Sequence, residues 1–235
     1  MHKTNLTFTA CIGCHFVPFC AAEDGKPAAA QHINFSVKRL LKLQRKQALY
    51  LPKNKLLSFY AIQEGALKTY QMEASGKELI RGFYFPGEIL GYEAIATGHY
   101  LVSAVALTDT VICEIPYDNF LKRVHAKPEL QKHSLYLISK QLNAGAYLAL
   151  TSAEQRLAAF LIDLSKRLRP VEAPAVFNLP LSRQDIGNHL RLTAETISRL
   201  LSRLQRNKVL TITQKKLTIL EAEKLQQLAE GLNEP

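Results

Sequence analysis

Three of the four cysteines, Cys11, Cys14 and Cys20, fall within the stretch Ala10-Cys11-Ile12-Gly13-Cys14-His15-Phe16-Val17-Pro18-Phe19-Cys20, and the fourth, Cys113, lies far downstream. Thiolates are the ligands that iron–sulfur clusters and structural zinc prefer, so three close sulfurs and a remote one make a four-sulfur shell. Closing that shell ties the N-terminus to whatever element carries Cys113. Ile12, Phe16, Val17 and Phe19 surround the trio, an apolar collar of the kind that limits solvent and oxidant access. The expectation is a cofactor that senses something.

At 235 residues the chain has room for one to two domains with a full core. Its net charge of +10 points to a polyanionic partner, nucleic acid before anionic membrane. No apolar run approaches the roughly 18 residues of a spanning helix, so no membrane partner is expected. The apolar run between Lys3 and Cys11 is too short for a lipoprotein signal. A cytoplasmic protein follows, and in that reducing compartment close cysteines serve as metal or redox ligands more often than as disulfides.

Small and polar residues over 21–34 read as a tether. The basic segment Ser36–Leu49 sets Lys38, Arg39, Lys42, Arg45 and Lys46 around Val37, Leu40, Leu41 and Leu43, and is expected to form a short surface helix. From Leu49 to Ile115 short β-branched and aromatic runs alternate with turn residues. Leu57–Ile62, Ala66–Met72, Lys77–Phe85, Leu101–Leu107 and Thr110–Ile115 are the strands this predicts, in a compact antiparallel barrel or roll with Cys113 in its last strand. Pro116 and Pro128 bracket a short helix containing Phe120 and Leu121. A helical period then runs through Leu150, with Leu135, Ile138, Leu142, Gly145 and Ala149 forming a narrow seam suited to a partner helix. Leu137 and Leu148 are available to pack against the roll instead. A further helix, Ala153–Leu168, carries Leu157, Phe160, Leu161, Leu164 and Leu168, and a linker spans Pro170–Pro180.

Ser182 and Asp185 open the next helix as a capping-box-like pair, Arg191-Leu192 is a turn, and Thr193 caps a second helix. There Ile197, Leu200, Leu201 and Leu204 recur at i, i+3, i+4 and i+7 and bury one face. Glu195, Ser198, Arg199 and Ser202 share the outward face. A recognition helix in the major groove of double-stranded DNA has this geometry. Arg199 can pair with guanine O6 and N7 and Glu195 can accept from cytosine N4, with Ser198 small and adaptable between them. Arg183, Thr193, Thr196, Arg203 and Arg206 flank them as phosphate contacts. Val209–Thr213 and Leu217–Leu220, joined by Gln214-Lys215-Lys216, make a two-stranded wing.

Together these motifs resemble the CRP/FNR transcription regulators, specifically their oxygen-sensing iron–sulfur branch. The resemblance rests on Cys-x2-Cys-x5-Cys at 11, 14 and 20, on Val111-Ile112-Cys113-Glu114-Ile115-Pro116, and on Ala153-Glu154-Gln155-Arg156-Leu157-Ala158-Ala159-Phe160. Asp185-Ile186-Gly187-Asn188 followed by Glu195-Thr196-Ile197-Ser198-Arg199 completes it. It implies an α+β fold with a cysteine-rich segment and tether (1–34), a cyclic-nucleotide-binding-like jelly roll (35–127), a dimerisation helix (128–151) and a winged helix-turn-helix (152–235). It also implies an oxygen-labile [4Fe–4S] cluster on Cys11, Cys14, Cys20 and Cys113, and a homodimer that reads a palindrome of TTGAT-like half-sites. RNA polymerase would be contacted from exposed loops, here Pro86-Gly87-Glu88 and Thr108-Asp109-Thr110.

The chain departs from the family pattern at four places. Lys46 and Lys53 stand where turn glycines are common. Lys140, Gln141 and Asn143 stand where an acidic residue is usual, and the Leu142–Ala149 seam is richer in glycine and alanine. His15 follows Cys14 where a small residue is expected. Three rival readings exist. A cyclic-nucleotide-activated regulator would need a phosphate-anchoring arginine that Tyr100-Leu101-Val102-Ser103-Ala104-Val105 lacks, so no cyclic nucleotide is expected. Zinc suits four cysteines as well. An iron–sulfur electron carrier or enzyme would leave the helix-turn-helix unexplained, and no nucleophile–base constellation, Gly-rich phosphate loop or second cluster motif appears, so the chain is not expected to be an enzyme.

Overall fold

The computed structural model describes residues 14, 15, 18, 37–168 and 176–232. Cys11, Cys20, the Lys3–Cys11 run and the 21–34 tether lie outside the described residues. The chain divides into two units, residues 1–72 with 81–144, and residues 73–80 with 145–235.

The first unit is a roll of two four-stranded antiparallel sheets. One has the order β1-β8-β3-β6 and the other β2-β7-β4-β5. The strands are β1 (Arg39–Leu43), β2 (Ala48–Tyr50), β3 (Ser58–Glu64), β4 (Leu67–Met72), β5 (Glu78–Tyr84), β6 (Ile89–Leu90), β7 (Ser103–Ala106) and β8 (Thr110–Pro116). All five strands expected from the sequence form. Runs of β-branched and aromatic residues carry them: on β3 and β8, Phe59, Ile62, Ile112 and Ile115 are buried to 1% exposure or less, together with Leu67 and Leu90. Each such side chain contributes about 1.5–3 kcal/mol by leaving water.

The expected helix over Ser36–Leu49 does not form in the described residues, 37–49. Its Leu-Leu-x-Leu run becomes β1, paired with β8 from Arg39 opposite Glu114 to Leu43 opposite Thr110. Glu114 is buried, and Arg39 Nε donates to its Oε2 over 2.6 Å while Ser58 Oγ donates to Oε1 over 3.2 Å. A buried carboxylate needs such partners, and a strand at the sheet edge delivers the guanidinium where a surface helix would not. Lys46 and Lys53 both sit in the left-handed region, φ 70° each, so these turns keep a glycine-like backbone despite the side chain, at a cost of about 1 kcal/mol apiece.

Helix α1 (Tyr117–Ala126) buries Phe120, and helix α2 (Pro128–Asn143) begins with proline in its first turn. The helical period was expected through Leu150, but α2 ends at Asn143. Ala144 is extended and Gly145 enters the left-handed region at φ 83°, the conformation that glycine supplies without a Cβ penalty. Gly145 and Ala149 therefore leave the seam, Ala149 for a short 3₁₀ turn over Ala146–Ala149. Ile138 is half-buried and packs on the roll core beside the buried Leu137. Leu135 and Leu142, 68% and 81% exposed, are the apolar side chains of the expected seam that α2 leaves uncovered.

The second unit holds helix α3 (Ala153–Leu168), β9 (Val176–Asn178), α4 (Arg183–Leu190), α5 (Ala194–Arg206), β10 (Leu210–Thr213), β11 (Lys216–Ile219) and α6 (Ala222–Glu230). Its core joins Leu157, Phe160, Leu161 and Leu164 of α3 to Ile186, Leu190, Ile197, Leu201 and Leu225. The expected wing is a three-stranded sheet, because part of the Pro170–Pro180 linker forms β9 and pairs with β11.

Candidate nucleic-acid interface and cysteine centre

The two helices α4 and α5 are set by their caps. Ser182 Oγ accepts from Asp185 N over 3.0 Å, and the Asp185 carboxylate accepts from Ser182 N over 3.3 Å, closing a capping box worth about 1 kcal/mol. Thr193 Oγ1 accepts from Thr196 N over 3.1 Å and caps α5. Between them the turn is tight. A Cβ on Gly187 would stand 2.8 Å from the Leu192 carbonyl oxygen, so the backbone approach in this turn requires glycine.

On α5, Ile197, Leu201 and Leu204 are buried and Leu200 is half-buried. Glu195, Ser198, Arg199 and Ser202 are all exposed on the other side, the spacing expected of a base-reading face. Ser198 Oγ donates to the Ala194 carbonyl over 2.8 Å, which leaves the hydroxyl oxygen as an acceptor. Arg199 Nη2 lies 3.5 Å from Thr196 Oγ1, a long contact that leaves the other guanidinium nitrogens for a ligand. Of the flanking residues, Thr193 and Arg206 are exposed and Thr196 and Arg183 half-buried, with burial lowering the Arg183 pKa. Arg203 is ion-paired with Glu154 of α3, so its guanidinium is already committed within the unit.

Helix α4 also carries a buried imidazole that the sequence did not single out. His189, 3% exposed, donates from Nδ1 to the Ile80 carbonyl over 3.2 Å, and its Nε2 accepts from the Tyr147 hydroxyl over 2.7 Å. Burial pushes its pKa down to about 4.

In the first unit, Cys113 is buried on β8 with Leu40 and Ala61 as its cross-strand neighbours. Cys14 is half-buried and packs against the same core cluster, which includes Cys113, Tyr92, Leu130 and Leu137. Among the described residues no three His, Cys, Asp or Glu side chains converge on a metal position. The donor chemistry nevertheless fits a thiolate-bound group: two sulfurs meet one apolar core, and the buried hydroxyl of Tyr92 in that core has no hydrogen-bond partner among the described residues.

His15 locks this segment to the roll and to α2. Its Nδ1 donates to the Gly87 carbonyl over 2.8 Å, Lys140 Nζ donates to its Nε2 over 2.9 Å, and His133 Nε2 donates to its carbonyl over 2.7 Å. The departures at 140–143 thus have partners: Lys140 holds His15, Gln141 Nε2 donates to Tyr84 Oη over 2.8 Å, and Asn143 Nδ2 donates to the Ser139 carbonyl over 3.0 Å. The same contacts change the outlook for the two expected polymerase loops. Gly87 is buried under His15 and Glu88 accepts from Phe85 N over 3.1 Å, leaving Pro86 exposed, and in the other loop Thr110 is buried and Thr108 half-buried, leaving Asp109 exposed. A chain-local signal marked His15 as unusual, but its partners depend on folded proximity.

Residues 40–126 match the cyclic nucleotide-binding domain family and residues 155–228 the Crp-like helix-turn-helix domain family. The chain is 34% identical over 224 residues to the fumarate nitrate reduction regulatory protein of Klebsiella oxytoca and to the fumarate and nitrate reduction regulatory protein of Escherichia coli (strain K12). In both cases the match covers 93% of this chain and 90% of the relative. In fold it is similar to FixK2 from Bradyrhizobium japonicum, with TM-score 0.73 and 24% identity over 81% of this chain and 96% of that one.

Proposed function

Since this chain belongs to the CRP/FNR family and is a DNA-binding transcription regulator related to the fumarate and nitrate reduction regulators rather than an enzyme, we propose that it is an oxygen-responsive one. Cys11, Cys14, Cys20 and Cys113 would hold a [4Fe–4S] cluster. When bound, that group supplies iron–thiolate bonds that oxygen destroys. The observation that carries this reading is that Cys14 packs on the core containing Cys113 while the next residue, His15, is hydrogen-bonded to α2. A change at the sulfurs is therefore one residue from the helix that would pair two subunits.

His133 and Lys140 hold the 14–15 segment on one side of α2, and Leu135 and Leu142 stand exposed on it. In the active homodimer those leucines meet their copies, and the two α5 helices enter successive major grooves of a TTGAT-type palindrome about 34 Å apart. Moving such an equilibrium from about 1:99 to 99:1 takes roughly 5.5 kcal/mol of difference between states. The working location is the cytoplasm, in keeping with a DNA target, and no described helix is long and apolar enough to cross a membrane. Pro86 and Asp109 are the exposed residues that the two loops would offer RNA polymerase. The stretch Tyr100-Leu101-Val102-Ser103-Ala104-Val105 offers no arginine to anchor a cyclic phosphate, which supports a roll that works without a cyclic nucleotide.

Iron, acid-labile sulfide and zinc contents with a visible spectrum, taken on protein purified without air, test this reading. Four irons and four sulfides per chain are expected, and one zinc with no visible absorbance would replace the cluster with a zinc site.

Two substitutions follow. Arg199→Ala is expected to weaken operator binding by about 1–3 kcal/mol, the worth of a good bidentate base contact, and to spare binding to unrelated DNA. Fluorescence anisotropy with cognate and scrambled duplexes checks both. Leu142→Glu removes about 1.5–3 kcal/mol of apolar burial per subunit from the pairing face, so the anaerobic dimer should dissociate at least tenfold more readily in sedimentation velocity. Monomer stability should be unchanged, because Leu142 is already exposed.

A further inference from the structure

Strands β3 and β8 are in register at Ala61 opposite Cys113 and Ile62 opposite Ile112, but the next pair is Glu64 opposite Val111. Gln63 is therefore the extra residue of a β-bulge. A bulge bends its strand and re-aims the side chain of the unpaired residue, and bulges recur beside functional sites. Here the carboxamide is aimed at sulfur: Gln63 Nε2 donates to Cys113 Sγ over 3.0 Å. A second donor accompanies the other described cysteine. Tyr92 is 8% exposed, its hydroxyl is buried with no hydrogen-bond partner among the described residues, and it belongs to the core cluster against which Cys14 packs.

We propose that Gln63 and Tyr92 are positioning residues that donate hydrogen bonds to the thiolates of Cys113 and Cys14 and so set the reduction potential and oxygen lifetime of the bound cluster. This rests on the cluster reading above. An N–H or O–H donor draws electron density from a thiolate sulfur, and it favours the more negative, reduced state of the centre it ligates. Both groups act through the sulfurs and neither is a ligand. The bulge gives Gln63 its aim, and the unsatisfied hydroxyl gives Tyr92 an unmet demand for an acceptor, which a thiolate meets.

The test uses the full chain loaded without air, comparing the parent with Gln63→Leu, Gln63→Glu and Tyr92→Phe. The readouts are the midpoint potential from a dithionite titration and the rate of visible bleaching after air is admitted. Gln63→Leu should lower the potential and bleach roughly 3- to 10-fold faster, the range expected for losing one neutral hydrogen bond. Gln63→Glu keeps the shape but puts a carboxylate against the thiolate, so it should move both readouts further the same way. Tyr92→Phe should bleach faster when loaded, yet raise the melting temperature of the cluster-free protein by removing an unsatisfied buried hydroxyl. If the parent carries iron and sulfide but both Gln63 variants match its potential and bleaching rate, the assignment of Gln63 is wrong and the cluster reading stands. Unchanged bleaching in Tyr92→Phe overturns the assignment of Tyr92 in the same way. A parent without iron and sulfide overturns the cluster reading and this assignment with it.

Discussion

Replacing Cys113 with serine is expected to abolish the visible absorbance of the anaerobic protein and to bring operator affinity down to the non-specific level, a loss of roughly 10³-fold or more. Serine is nearly isosteric but its hydroxyl is a hard, weakly acidic ligand that does not replace a thiolate at iron. The roll itself should survive. Cys113 sits on a central strand flanked by β1 and β3, and the serine hydroxyl keeps Gln63 as a partner, so no buried polar group is orphaned. Circular dichroism should be unchanged while absorbance and operator binding disappear together. Retention of operator binding without absorbance would separate the sulfur site from DNA recognition.

A second large effect is expected in acid. His189 is neutral in the folded chain, with its pKa held near 4 by burial, whereas in the unfolded chain it titrates near its ordinary 6.5. Below pH 6.5 the unfolded state takes up a proton that the folded state refuses, so stability is full above pH 6.5 and falls as the pH drops toward 4. The shift corresponds to about 3 kcal/mol. Protonation would also force Nε2, which accepts from Tyr147, to become a donor. Denaturant midpoints at pH 7 and pH 4.5 should therefore diverge more for the parent than for His189→Gln, which carries no titrating proton. Equal acid sensitivity in the two would place the effect elsewhere.

The helix-turn-helix was legible because its determinants are local. Ser182 and Asp185 lie three residues apart, Thr193 caps the helix it precedes, and the apolar and polar sets of α5 alternate at helical spacing. Strands β3 to β5, β7 and β8 were legible for the same reason, through short β-branched and aromatic runs broken by turn residues. What was not legible depends on distant partners. Leu40, Leu41 and Leu43 suit a helix or a strand by spacing alone, and only pairing with β8, with Arg39 reaching Glu114, decides for the strand. Gly145 fits two roles, close helix approach or helix termination, and its positive φ settles on the second. Strand β9 hid in a linker because β11 lies far along the chain, and α6 was not foreseen. In the cysteine centre the four sulfurs were visible in the sequence. The bulge that aims Gln63, and the His133 and Lys140 bonds to His15, follow from register and packing.

Operator affinity, sedimentation and iron content measured on one anaerobic sample before and after exposure to air address the central claim most directly. Before air the protein should sediment as a dimer and bind a TTGAT palindrome tightly. After air, iron loss should be accompanied by dissociation and a fall in affinity toward that for unrelated DNA. The same dimer with the same affinity on both sides of that exposure would contradict an oxygen-governed regulator.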